Sequence, residues 1–199
     1  KVGVVGEYME SHPLGRAEWI KFLGLFTGKQ QQAEEIFNRL EKRYLRLAGC
    51  TKNLEYRPVV VTGTPFSGRW YVAGGKSFVG KFLHDAGADY VFGETTFTGA
   101  RPMDIELVYE RGQSADYWLN TGGWETLAQA KNADPRFLEF KSLNNGLLFN
   151  NNRRLNARGG NDYWESGIMA PDKILADLIR ILHPELLPEH KLYYYTQLQ

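Results

Sequence analysis

The chain has 199 residues, 43% of them apolar and 24% charged, the proportions of a folded globular protein able to bury its own core. Its 24 basic and 23 acidic residues leave a net charge of +1, which speaks against a nucleic acid as the principal partner. A single cysteine excludes an intrachain disulfide and any multi-cysteine metal centre, and no run of ~18 apolar residues offers a membrane span.

In chain order, Val2, Val4 and Val5 offer a short strand, weakened by Gly3 and Gly6. Residues 1–10 lack the apolar region and small-residue cleavage site of a signal peptide. The sequence opens on Lys1, as a mature fragment or part of a longer protein would. Pro13 suits a first helical position, and Trp19, Phe22, Leu23 and Phe26 share one face of the helix that follows. Gly28 interrupts it. Ala33, Ile36, Phe37, Leu40, Tyr44 and Leu47 keep the same period and predict a helix over 30–48, with Gly49 as its stop. Glu34, Glu35, Lys42 and Arg43 fall on its solvated face.

The pattern then changes. Residues 57–62 are a β-branched run closed by Gly63, followed by a Gly/aromatic loop, TPFSGRWYVAGG (64–75). A helix is predicted over 77–86, a strand over 89–92 and a loop over 99–104. A short helix opens at Asp104, and a strand covers 115–119. Beyond these come a helix over 124–131, strands over 137–143 and 147–149, and a last helix over 172–182 behind Pro171. Successive strands recur about every 30 residues with helices between, the spacing of right-handed parallel crossovers. The fold class is α/β: a three-layer αβα lobe with a mostly parallel sheet. In such folds ligands meet the loops at the carboxyl ends of strands, here those after 62, 92 and 119.

Those loops advertise no catalytic constellation. His12, His84, His183 and His190 have no metal-ligand spacing, and Cys50 has no local activator. AGGKS (73–77) lacks the first glycine of a phosphate loop, and GVVG (3–6) is not a dinucleotide fingerprint. What the loops do carry is aromatic: Phe66, Arg69, Trp70 and Tyr71 stand together among Gly63, Gly68, Gly74 and Gly75. Such a loop can cover an apolar or ring-shaped ligand, with Arg69 pairing to a carboxylate on it. The same aromatics could instead pack the loop onto the sheet edge. Trp164, in the cluster NDYWE (161–165), either caps the last helix or lines the same cleft. Residues 150–158, rich in Asn and Arg, read as a surface loop. Glu106, in the first turn of its helix, either complements the helix dipole or offers a carboxylate to a basic partner.

Taken in order, EYMESHPLGRAEWIKFLG (7–24), AEEIFNRLEKRY (33–44), PVVVTGTPFSGRWYVAGGKSFVGKFLHDAGADYVF (58–92) and GGNDYWESGIMAPDKILADLIRILHPEL (159–186) resemble the metal-chelate class of periplasmic substrate-binding proteins of ABC importers. That class handles cobalamin, ferric siderophores and haem, and the resemblance covers nearly the whole chain. It implies two α/β lobes bridged by a long helix, with residues 1–49 the interlobe segment and 50–199 the C-terminal lobe. No enzymatic activity and no intrinsic cofactor are implied; the bound chelate is cargo, and the protein need not ligate its metal directly. Phe66, Arg69, Trp70, Tyr71 and Trp164 would form this lobe's share of the ligand site. Glu106, ahead of Ala115-Asp116, matches the acidic residue with which the family docks onto arginines of the membrane permease. The implied location is the periplasm or the extracellular side of the envelope, peripheral to the membrane and compatible with a lipid anchor on the full-length protein. The competing reading is an enzyme or metal-chelatase-like protein on the same α/β fold.

Overall fold

The computed structural model describes residues 2–199. Two helices come first, α1 (Pro13–Thr27) and α2 (Gln30–Thr51). His12 caps α1 by accepting from the Leu14 amide, Pro13 takes the first helical position, and Gly28 ends the helix in the left-handed region at φ 68°. No strand forms over 2–5: Val2 and Val4 are exposed, and Gly3 between them and Gly6 beyond leave little side-chain surface to hold a partner strand. The predicted stop at Gly49 is also overrun, and α2 continues to Thr51.

The alternation of strands and helices follows. It runs β1 (Val59–Thr62), β2 (Pro65–Phe66), β3 (Arg69–Ala73), α3 (Phe78–Asp85), β4 (Asp89–Tyr90), β5 (Ala100–Met103), α4 (Ile105–Gly112), β6 (Tyr117–Leu119), α5 (Leu127–Ala133), α6 (Lys141–Asn144), β7 (Leu148–Asn150), α7 (Pro171–Leu182) and β8 (Thr196–Gln197). The main sheet has the order β4-β1-β6-β7-β8, parallel throughout except for the antiparallel edge strand β8. Helices cover both faces, which gives the three-layer α/β architecture. Val61 and Trp118 face α4, Phe137 and Phe140, while α2, α3 and α7 pack together on the other side through Phe37, Tyr44, Phe82 and Ile179.

Two predicted loops are in fact strands. Residues 65–73 and 100–103 form a second, antiparallel sheet of order β2-β3-β5. The turn between β2 and β3 is Ser67-Gly68, at φ 50° and 75°. Two successive left-handed residues are what a tight hairpin turn needs, so the serine-glycine pair closes a hairpin instead of loosening a loop. Conversely, 137–143 is not a strand. It is a short 3-10 turn over Pro135–Glu139 followed by α6, because Asp134 caps the Arg136 amide and Pro135 fixes the first turn.

The glycines of AGGKS also find their explanation in packing. A side chain at Gly74 would run into the Phe97 carbonyl, and one at Gly75 into the Gly93 carbonyl. The chain leaving the hairpin passes directly beneath the segment that follows β4, and only glycine permits that approach.

Candidate functional site

The parallel strands converge with their carboxyl ends on one edge. At that edge two indoles clamp the exit of β1. Trp70 Nε1 donates to the Thr62 carbonyl at 3.0 Å, and Trp118 Nε1 donates to the Gly63 carbonyl at 2.7 Å. The two rings stack at 5.5 Å with 22° between their planes, and Phe140 stacks on the far face of Trp118 at 4.8 Å. Tyr109 and Phe137 meet Trp70 edge-on. Much of the aromatic surplus in the composition is therefore core, sited directly beneath the edge where ligands are expected.

This placement corrects the expectation for Trp70. It is fully buried and lines no open surface. The cause is the pleat of β3: Trp70 and Val72 point inward, while Arg69 and Tyr71 point outward. Register then adds a neighbour, because Phe66 pairs with Arg69 across the hairpin and shares its face. Phe66, Arg69 and Tyr71 thus form one exposed aromatic-cationic face, 73% and 52% exposed at Phe66 and Tyr71. Trp164 stands elsewhere. Its ring packs on Phe78 at the start of α3 and on Tyr163, and about half of it remains exposed. Arg16 of α1 lies over the same Phe78 ring at 4.0 Å, so Trp164 belongs to the seam between α1 and the lobe.

Sequence reasoning did not anticipate two further features of this edge. Asn120, at the end of β6, adopts φ 57°, and its side-chain oxygen accepts from the Tyr195 hydroxyl at 2.9 Å. Tyr195 is in turn fixed because the buried Asp177 carboxylate accepts from the amides of Tyr193, Tyr194 and Tyr195 and contacts His190 Nε2 at 2.6 Å. The C-terminal segment is thereby strapped to α7 and holds the β6 exit from below. The Asn-Thr-Gly-Gly run was a legible turn signal, but nothing in the sequence marked Asp177 as its distant support.

The second feature is a cavity of about 470 Å³ between the start of α1, α3 and the edge strand β4, lined by His12, Lys76, Lys81, His84 and Tyr90. His12 is held below its usual range by burial and then by the Lys81 charge, while nearby Asp85 acts in the opposite direction. Lys81 itself is tied to Asp85. Charges of both signs meet in this cavity, and Tyr90 is committed to the Ala73 carbonyl and Thr62. Among the described residues, no group of three or more His, Cys, Asp and Glu side chains could hold a metal ion. Cys50 is exposed on α2, its sulfur 3.3 Å from the Arg46 carbonyl.

Glu106 is exposed in the first turn of α4, which Asp104 caps. Its carboxylate is not free, since Arg136 Nη1 donates to it at 2.6 Å. Arg136 also grips Asp134 and lies over the Tyr109 ring at 4.3 Å. The Asp134 carboxyl is held well below the usual range, first by the Arg136 side chain and then by its backbone amide.

The chain is thus a parallel-sheet α/β lobe with an antiparallel hairpin that presents aromatic side chains at the carboxyl edge. The sequence profile of the periplasmic binding protein family matches residues 5–142, and the chain belongs to that family. It is similar to an uncharacterised lipoprotein of Methanocaldococcus jannaschii, with 31% identity over 194 residues, which is 96% of this chain and 44% of the relative. The chain spans about half the length of the curated relatives it matches. Two solved structures share the fold. A periplasmic haem-binding protein from Pseudomonas aeruginosa has 19% identity and a TM-score of 0.65, over 95% of this chain and 67% of that one. IsdE of S. aureus, complexed with haem, has 17% identity and a TM-score of 0.65, over 87% of this chain and 66% of that one. Among the described residues, no helix is long and apolar enough to cross a membrane.

Proposed function

We propose that this chain forms the C-terminal lobe and the interlobe helices of an ABC-importer substrate-binding protein that captures a metal chelate of the haem, ferric siderophore or corrinoid type. It would hand that chelate to a membrane permease at the periplasmic or extracellular face of the cell envelope. The observation that carries this reading is the exposed face of Phe66, Arg69 and Tyr71 on a rigid hairpin, braced from behind by Trp70 and Trp118. Large aromatic faces beside a guanidinium suit a bulky ligand with an apolar body and a polar rim. Family membership and the haem ligands named for two structural neighbours support the same reading.

Residues 50–199 would be the lobe and residues 1–49 the connection to a second one. The exposed Leu23, Leu25 and Phe26 of α1 support this, as apolar surface of the kind a second lobe covers. Trp164, on the α1 seam, would contact ligand from the side, and Trp70 would act as the brace. Capture requires no bond-making: the lobes close over the chelate, and closure sets affinity and release. Glu106 would dock the permease.

Titration of the full-length protein with haemin, ferric siderophores and cyanocobalamin, followed by tryptophan fluorescence, tests the reading. Saturable quenching by one of them, weakened in the Tyr71→Ala and Phe66→Ala variants, is the expected result. Absence of saturable binding to every chelate would overturn it.

A further inference from the structure

Some arginines of this protein are ion-paired and others are not. Arg43 is held by Asp172, Arg111 by Glu94, and Arg136 by Asp134 and Glu106. Three unpaired ones stand at the carboxyl edge of the main sheet. Arg69 on the hairpin and Arg153 and Arg158 after β7 make no ion pair among the described residues, and all three are exposed. Their loops supply no counter-charge, for residues 63–76 and 150–161 contain no Asp or Glu. Arg154 alone is neutralised there, by Asp162 at 2.7 Å. Unpaired arginines occur elsewhere too, Arg39 and Arg46 on α2 and Arg101 on β5 among them, but Arg69, Arg153 and Arg158 stand on loops without a carboxylate at the edge where ligand would sit.

The hairpin leaves β1 and the arginine loop leaves β7. One strand, β6, separates them, so the two exits lie about 10 Å apart. A single bulky ligand can span that distance and meet both. A guanidinium presents a planar fork that matches carboxylate, catecholate and phosphonate-like oxygen pairs, and it gains little from a neutral amide rim. Beside Arg69, the Phe66 and Tyr71 rings offer the apolar part of the surface.

On these observations, and resting on the capture reading above, we infer that the site selects an anionic chelate. Its oxygen anions would be received by Arg69 from one side and by Arg153 and Arg158 from the other. Neutral trishydroxamate and corrinoid ligands are disfavoured. Free cationic chelates are repelled.

The test compares chelates of similar size and different charge on the full-length protein: an iron(III) triscatecholate and haemin as anions, ferrichrome and cyanocobalamin as neutral ligands, and ferrioxamine B as a cation. The expected result is that an anionic chelate binds at least about tenfold more tightly than any neutral one. That preference should shrink as salt is raised from about 0.05 to 0.5 M, because the charges are exposed to screening. Arg69→Gln and Arg153→Gln should each erode it, and circular dichroism confirms the fold, since neither side chain has a partner to lose. Equal or tighter binding of a neutral or cationic chelate would overturn the inference while leaving capture intact. Binding of no chelate at all would overturn both. An anion preference unchanged by salt and by both substitutions would show that these arginines do not supply it.

Discussion

At the scale of single residues, neighbours in sequence have opposite duties. Trp70 and Tyr71 are adjacent, and a sequence reading groups them as one aromatic surface; the strand pleat sends them to opposite sides. Trp70 fills the space between Trp118, Tyr109 and Phe137 and satisfies the Thr62 carbonyl. Trp70→Ala should therefore cost about 3–5 kcal/mol of folding stability through the cavity it leaves. Tyr71→Ala, on the solvated side, should stay within about 0.5 kcal/mol. Urea unfolding followed by circular dichroism reads both midpoints. If the two variants lost similar stability, the inward placement of Trp70 would be wrong. The contrast also decides how ligand data should be read: loss of binding in a Trp70 variant reports a collapsed brace, and only loss in a Tyr71 or Phe66 variant reports contact.

At the scale of elements, α2 and α3 are joined through one residue, Asp85. Asp85 accepts from the Tyr44 hydroxyl at 2.7 Å and from Lys81, and its backbone carbonyl accepts from Thr51 Oγ1 at 2.6 Å. Burial alone would raise the Asp85 pKa, but the hydrogen bonds from Lys81, Tyr44 and His84 outweigh it and hold the carboxyl below its usual range. A carboxyl depressed in the folded state contributes stability above its unfolded value, near pH 4, and loses that contribution as the pH falls through the folded value. Asp85→Asn should thus lower the melting temperature at pH 7, with the gap to wild type narrowing toward pH 3. A constant gap across that range would remove Asp85 from the acid response. The helices on either side of this link were legible because their apolar residues recur every three or four positions. So were the parallel strands, as β-branched runs closed by glycine or turn residues. The antiparallel sheet was hidden because its strands are short, two of them contain proline, glycines flank them, and β3 gains its order from pairing with β5 across about 30 residues. The aromatic-cationic residues of the site were visible as types; which of them face outward was not, since that depends on the register of β2 with β3.

At the scale of the whole molecule, α1 and α2 are continuous with the lobe. Arg43 reaches Asp172 of α7 at 2.7 Å, and Tyr44 reaches Asp85, so α2 is tied to the lobe by polar contacts. The helices would move with the lobe as one body, and communication with a permease would pass through its rigid surface. Glu106 on that surface is already engaged by Arg136, which shares itself with Asp134. An arginine on a permease would therefore compete with an internal arginine for the same carboxylate, and docking strength would reflect the balance between the two. Exposed pairs of this kind contribute at most about 1 kcal/mol to folding, so both partners can be altered without endangering the lobe. If Glu106 docks the permease as proposed, Glu106→Arg reverses that charge and should reduce capture by the permease about tenfold or more. Arg136→Ala releases Glu106 and should increase capture. Ligand affinity should stay unchanged in both, because neither residue lies on the outward face of the hairpin. Pull-down of the permease in detergent, with chelate titration as the control, measures the two effects. Capture that ignores Glu106→Arg would remove Glu106 from the docking surface, and capture that falls in Arg136→Ala would assign the contact to Arg136 instead.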